Sequence, residues 1–126
     1  MKVNKISNQT FSAKLLGDYK DIIKMAVDNG FTNKGIKSAL SKIQKACPSE
    51  NDKVYLYHKK VYRFDNYGFE NMGIRSGVKV FKDGKTLELN VDPRTISSKY
   101  LLSLMALKVE QLASGKIKPD EMIKIF

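Results

Sequence analysis

The sequence predicts an α+β fold, with helices packed on one face of a three-stranded antiparallel sheet. Two stretches in the N-terminal half repeat apolar residues at helical spacing, and residues 54–64 are rich in β-branched and aromatic side chains. A two-residue turn at Asp83-Gly84 joins two runs of alternating polarity, which is the pattern of a β-hairpin. Helices on either side of a block of strands are typical of a layered α+β domain, so all 126 residues are expected to form a single domain.

The first predicted helix covers residues 12–29 and forms an N-terminal helical hairpin with the second. At about 100° per residue its apolar side chains fall on one face. They are Leu15, Leu16, Tyr19, Ile22, Ile23, Ala26 and Val27. Asp18 is a good N-cap, so the helix is able to restart at Tyr19 after a break at Gly17. Residues 1–11 are polar and are expected to be mobile or to add a short edge strand.

The second predicted helix covers residues 33–46, after a stop signal at Asn29-Gly30 and a cap at Thr32. One side of it is apolar, with Ile36, Ala39, Leu40, Ile43 and Ala46. The other side carries Lys34, Lys37, Ser38, Ser41, Lys42 and Lys45, and the stretch contains no carboxylate. A cationic face without acidic neighbours favours an anionic partner, and nucleic acid is the commonest such partner.

The predicted sheet is built from residues 54–64, as one bent strand, and from the hairpin around Asp83-Gly84. A two-residue loop pairs Val80 with Leu87 and Val78 with Leu89, which places the apolar residues of both strands on one face. The same register sets Lys79 opposite Glu88 on the other face, a favourable cross-strand pair. Residues 65–76 contain isolated glycines among polar residues and are predicted to be a loop.

The C-terminal part is predicted to be a long apolar helix over residues 96–113, followed by a short terminal helix that opens at Pro119-Asp120-Glu121. The apolar arc of the long helix is wider than one face. It is therefore expected to pack on both the sheet and another helix, or to be buried in a homodimer.

The formal net charge of +10 is concentrated in the first half of the chain. Residues 1–63 hold 13 basic and 5 acidic residues, whereas residues 64–126 hold 10 and 8. The chain has one cysteine, Cys47, no apolar run typical of a signal peptide, and no stretch approaching the roughly 20 apolar residues of a membrane span. A cytoplasmic protein that does not enter a membrane is expected.

The helix pair around Gly30 resembles the helix-turn-helix DNA-binding motif over about residues 22–41. The resemblance rests on a small residue, Ala26, four positions before Gly30, on Phe31-Thr32 after it, and on apolar residues at the buried positions of the second helix. It implies that one set of residues faces the major groove, namely Asn33, Lys34, Lys37, Ser38 and Ser41. It also implies that Lys42 and Lys45 lie near phosphates.

A second candidate surface lies in the strand, where alternation places Tyr55, Tyr57, Lys59 and Arg63 on one face. Aromatic and basic side chains on one strand face are able to stack on bases and hold phosphates. We therefore add Lys59 and Arg63 to the candidate nucleic-acid-binding residues. Tyrosine is also common as a half-buried strand residue, so a purely structural role remains open.

Catalysis has weaker support than binding. The element order and basic composition are similar to those of small basic ribonucleases of bacterial toxin–antitoxin pairs, and the residues available for that chemistry are His58, Lys60, Tyr62 and Arg63. One histidine and one cysteine do not make up a zinc site with the usual ligands, and no phosphate-binding glycine loop is present, so no metal or cofactor is expected.

The function predicted from sequence is that of a small, non-enzymatic, basic protein that binds DNA or RNA through the lysine-rich helix 33–46. Two alternatives remain open. The first is a module that binds an acidic protein surface, suggested by the wide apolar arc of residues 96–113 and by the apolar Ile125-Phe126 terminus. The second is the toxin-type ribonuclease.

Overall fold

The computed structural model describes residues 14–64, 67–68, 70–92 and 97–118, without the side chains of Lys14 and of residues 61–64 and 70–72. The described strands are β1 (Lys14–Gly17), β2 (Lys53–Phe64), β3 (Glu70–Lys82) and β4 (Lys85–Asn90). The described helices are α1 (Tyr19–Asp28), α2 (Asn33–Ala46) and α3 (Leu101–Ser114), and a 3₁₀ turn at Ser98–Tyr100 leads into α3. The fold is α+β, as predicted. The predictions for residues 1–11 and for a terminal helix from Pro119 lie outside the described residues.

The sheet has four strands in the order β1-β2-β3-β4 and is mixed, so the prediction of a three-stranded antiparallel sheet was wrong. The additional strand, β1, runs parallel to β2 and pairs Leu15 with Val54. The sequence predicts a helix at Leu15 and Leu16 because two adjacent apolar residues fit helical spacing as well as strand alternation. Gly17, with φ of +83°, instead turns the chain from β1 into α1.

The hairpin between β3 and β4 has the predicted register, which pairs Val80 with Leu87 and Val78 with Leu89. Asp83 and Gly84 both have positive φ, +53° and +75°, as a two-residue hairpin turn with the right-handed twist requires.

β2 is one continuous strand, also as predicted. β3 begins at Glu70, so residues 70–76 are strand and not loop. Residues 70–76 pair with residues of β2. Because strand formation here depends on that partner, the composition of residues 70–76 alone does not predict a strand.

The prediction of a long apolar helix over residues 96–113 was wrong. α3 is 14 residues long and starts at Leu101. Its buried side chains are Leu101, Leu102, Met105, Ala106, Val109 and Leu112. α3 packs against both β3 and α2, and this double contact accounts for the width of its apolar arc.

The described helices all pack on the same face of the sheet. In β2, Val54 and Leu56 are fully buried and join Ile22 of α1, Ile43 of α2 and Met105 of α3 in one core. Because side chains alternate along a strand, Tyr55 and Tyr57 point to the opposite face. No helix of the described residues lies on that face.

We expect Gly17→Ala to destabilise the protein more than Gly30→Ala does. Both positions have positive φ, +83° and +91°, which costs an alanine about 1–2 kcal/mol. A methyl group at Gly17 would also lie 2.5 Å from the carbonyl oxygen of Leu56, whereas at Gly30 it meets nothing within 4 Å. Urea unfolding of both variants measures the difference. Equal losses of unfolding free energy would show that β1 does not approach β2 this closely.

Candidate functional site

Helix α2 presents a rigid, lysine-rich surface because its start is capped and its inner side is buried. The side chain of Thr32 accepts a hydrogen bond from the backbone N–H of Gly35 at 3.0 Å. The ring of Phe31 occupies the space that a side chain at Gly35 would need, so the glycine allows Phe31 to pack there. Ala39, Leu40 and Ile43 are buried on the inner side.

The outer side of α2 carries most of the residues predicted from sequence. The exposed ones are Asn33, Lys34, Lys37, Ser38, Ser41 and Lys45. Lys42 is half-buried, so it contributes less to this surface than predicted. We call the seven residues together the α2 face.

The lysines of the α2 face have no ion pairs within the described part of the chain. The ion pairs that do form lie elsewhere: Lys24 with Asp28 at 2.8 Å, and Glu88 with both Arg75 and Lys79 at 3.7 and 3.9 Å. The first turn of α2 contains no acidic residue that would offset the positive end of the helix dipole. Among the described residues, the α2 face is therefore a positive surface without an ion-paired carboxylate.

Lys59 does not lie on the same side of the molecule as the α2 face. It is exposed and follows Tyr55 and Tyr57 on the face of the sheet opposite the helices. Arg63 belongs to the end of β2, and its side chain lies outside the described residues. The structure therefore separates Lys59 from the α2 lysines by the thickness of the sheet and the helical layer. The sequence had not specified this separation.

The face of the sheet opposite the helices combines aromatic and charged side chains from three strands. Tyr55 and Phe81 form an edge-to-face pair with ring centroids 5.5 Å apart. Tyr57 lies across Gly77, where any side chain would collide with its hydroxyl group. That hydroxyl lies 2.9 Å from Oε2 of Glu88, and the Arg75 guanidinium lies 5.7 Å from the centre of the Tyr57 ring.

Burial, together with the hydrogen bond and the negative charge of Glu88, raises the pKa of Tyr57 to about 12. Tyr57 is therefore protonated at neutral pH and acts as a hydrogen-bond donor. Sequence reasoning missed Arg75 and Phe81. The predicted pairing of Lys79 with Glu88 could have identified them. If the same strand is continued in both directions from Lys79, alternation places Arg75 and Phe81 on the same face of the sheet.

His58 lies on the helix side of β2, and both its ring and its backbone N–H form hydrogen bonds. Its ring Nδ1 shares a short hydrogen bond with Oγ of the buried Ser76, and its backbone N–H donates to Oδ2 of Asp18 at 3.0 Å. Of the other residues considered for ribonuclease chemistry, Lys60 is exposed, and the side chains of Tyr62 and Arg63 lie outside the described residues. The contacts of His58 connect β2 to β3 and to the turn after β1.

Cys47 is buried at the end of α2, and this burial raises its pKa to about 11. The thiol is therefore protonated near neutral pH and is a poor nucleophile.

Within the described ranges, no group of three or more His, Cys, Asp or Glu residues is arranged to hold a metal ion. No described helix is both long and apolar enough to cross a membrane.

Comparisons with protein-family models, with curated proteins and with solved structures find no match to this chain. The chemistry and placement of the residues described above are therefore the evidence for the function of the chain.

We expect the single histidine to titrate below pH 6.5. Burial lowers the pKa of His58 from its usual 6.5, and the nearby charge of Asp18 offsets only part of this effect. A ¹H NMR titration of the histidine C2 proton measures this pKa, and the same protein unfolded in urea is the control.

The unfolded chain takes up this proton near pH 6.5, whereas folded His58 does so only at lower pH. His58 therefore contributes stability above about pH 6.5, and this contribution is lost as the pH falls through the folded pKa. A folded pKa equal to or above that of the urea-unfolded control would contradict the burial of the ring against Ser76.

Proposed function

We propose that this chain is a non-enzymatic nucleic-acid-binding protein that docks through the α2 face. The observation that supports the proposal is that these lysines are exposed and have no acidic partners among the described residues. Because like charges repel, a rigid surface of this kind is most stable beside a polyanion. The phosphate backbone of DNA or RNA offers such a partner at close and regular spacing.

The chemistry of the α2 face favours contacts to phosphates over the reading of bases. Its cations are all lysines, and a lysine ammonium group binds phosphate as a point charge. It lacks the planar fork with which arginine recognises guanine. Asn33, Ser38 and Ser41 add neutral hydrogen-bond donors between the lysines. We therefore expect binding that tolerates many sequences and weakens steeply with salt.

The dimensions of α2 fit this mode of docking. Its 14 residues span about 21 Å, and the lysines follow one stripe along it at helical spacing. A helix of this width enters the major groove of B-DNA. The helix-turn-helix resemblance stays a prediction. In its favour, the turn at Gly30 has positive φ and Thr32 caps α2; α1 and α2, however, each pack chiefly around α3 and its preceding turn.

The alternative of an acidic protein partner has lost one of its two supports. The apolar arc of residues 96–113, which suggested an interaction surface or a homodimer, is largely buried against the sheet and α2 where the structure describes it. The other support, the apolar C-terminus at Ile125-Phe126, lies outside the described residues. The lysine surface is satisfied by nucleic acid with a higher density of charge than an acidic protein offers.

We expect the double variant Lys34→Gln, Lys37→Gln to weaken binding to a DNA duplex, because the variant neutralises fewer phosphates and releases fewer counterions. Each phosphate that is no longer neutralised lowers the slope of log affinity against log salt by about one. Fluorescence anisotropy of a labelled duplex between about 50 and 200 mM salt measures both affinity and slope.

The matched control is Lys20→Gln, Lys24→Gln in α1. It removes the same charge from another exposed helical surface, on which Lys24 already pairs with Asp28. Equal effects of the two double variants would indicate a response to net charge alone and would contradict docking through α2. So would an affinity that does not change with salt.

A further inference from the structure

The face of the sheet opposite the helices has the composition of a binding surface. We call it the open face and define it by Tyr55, Tyr57, Lys59, Arg75, Lys79 and Phe81. These residues occupy paired positions in β2 and β3 that alternate with the buried core positions. The described helices all lie behind them, so the described part of the chain leaves this face uncovered.

The aromatic rings of the open face border a cavity large enough for a small ligand. Tyr55 and Phe81 form one wall of an open depression of about 530 Å³, and both lysines and carboxylates also line it, among them Lys53, Lys85, Asp52 and Asp83. This volume lies within the range of about 300–1,000 Å³ that is usual for small-molecule sites. Tyr55 and Phe81 are both only half-buried, so part of each ring is accessible from the depression.

The charges of the open face match an anionic chain. Glu88 is the acidic residue of β4 on this side, and it already pairs with both Arg75 and Lys79. Lys53 and Lys59, on the same side of β2 as Tyr55, are exposed and form no ion pair with a described carboxylate. Lys85 is likewise exposed and without a described ion pair, and it lines the depression from the end of the hairpin. From Tyr55 to Lys59 the strand extends about 13 Å, so the aromatic wall and the exposed lysine lie along one track.

We infer that the open face binds single-stranded nucleic acid, with an unpaired base in the depression against Tyr55 and Phe81. The phosphates on either side of that base contact Lys53, Lys59 and Lys85. Aromatic walls beside a cationic track are the features that hold single strands, because every base offers a flat face for stacking. In a duplex the bases are stacked and paired inside, so a duplex does not fill this depression.

This surface is distinct from the α2 face and lies on the other side of the molecule. The two proposals therefore fail independently. Loss of duplex binding on substitution of the α2 lysines does not test the open face, and a change in base stacking at Tyr55 does not test α2.

The test uses Tyr55→Trp. Since the chain contains no tryptophan, this variant places a single indole in the wall of the depression. We expect a 12-nucleotide oligothymidylate to quench its fluorescence in a saturable way, because a base stacks against the ring. Heparin, a polyanion without bases, is expected to cause little quenching even at concentrations that saturate binding.

A second variant tests the other side of the aromatic pair. In the Tyr55→Trp background, Phe81→Leu keeps an apolar side chain but removes a stacking surface, and we expect affinity for oligothymidylate to fall about tenfold. Heparin affinity, measured by competition, is expected to change less than twofold. Urea unfolding of each variant verifies that the sheet remains folded.

Two results would overturn the inference. The first is the absence of quenching by oligothymidylate, or equal quenching by heparin, in a folded Tyr55→Trp protein. The second is loss of that quenching when Lys34→Gln and Lys37→Gln are added, since this would place the single strand on the α2 face. Quenching that persists with those two substitutions supports a separate site on the sheet.

Discussion

The fold depends on the burial of one face of β2 against the helices. Val54 and Leu56 are fully buried in the core, and Tyr55 between them points away from it. Because side chains alternate with a period of two, a slip of one residue would move tyrosines and lysines into the core and valine and leucine to the surface. This constraint fixes the register of β2 with β3. It also fixes the position of β1, whose Leu15 packs on the same core.

The same constraint gives the molecule two sides with different chemistry. On the helical side, α2 presents lysines beside serine and asparagine and contains no aromatic residue. The sheet side places tyrosine and phenylalanine rings beside arginine and lysine. The first arrangement is suited to a phosphate backbone, whereas the second adds surfaces on which unpaired bases stack. We therefore regard the positive charge of the chain as divided between two separate surfaces, the α2 face and the open face.

The parts of the fold that the sequence predicted correctly are those set by local signals. The bounds of α2 follow from Gly30, Thr32 and Pro48, and the hairpin register follows from Asp83-Gly84. The parts that it did not predict depend on distant partners. The first four residues of the described chain become a strand because β2 lies beside them, and residues 70–76 become a strand because they pair with the second half of β2. The same distinction holds for the candidate site. Helical spacing alone places the α2 lysines on one surface. The position of Lys59 relative to them depends on which side of the sheet the helices cover, and this is set by tertiary packing.

The most direct test of the central claim is to map the docking surface residue by residue with ¹⁵N-labelled protein. A short DNA duplex or heparin is titrated into the protein, and the amide chemical shifts are followed. We expect both polyanions to shift the amides of α2 from residue 34 to residue 45, and the amides of α1 to respond much less. Shifts that leave α2 unchanged, or that are spread evenly over α1 and α2, would contradict it.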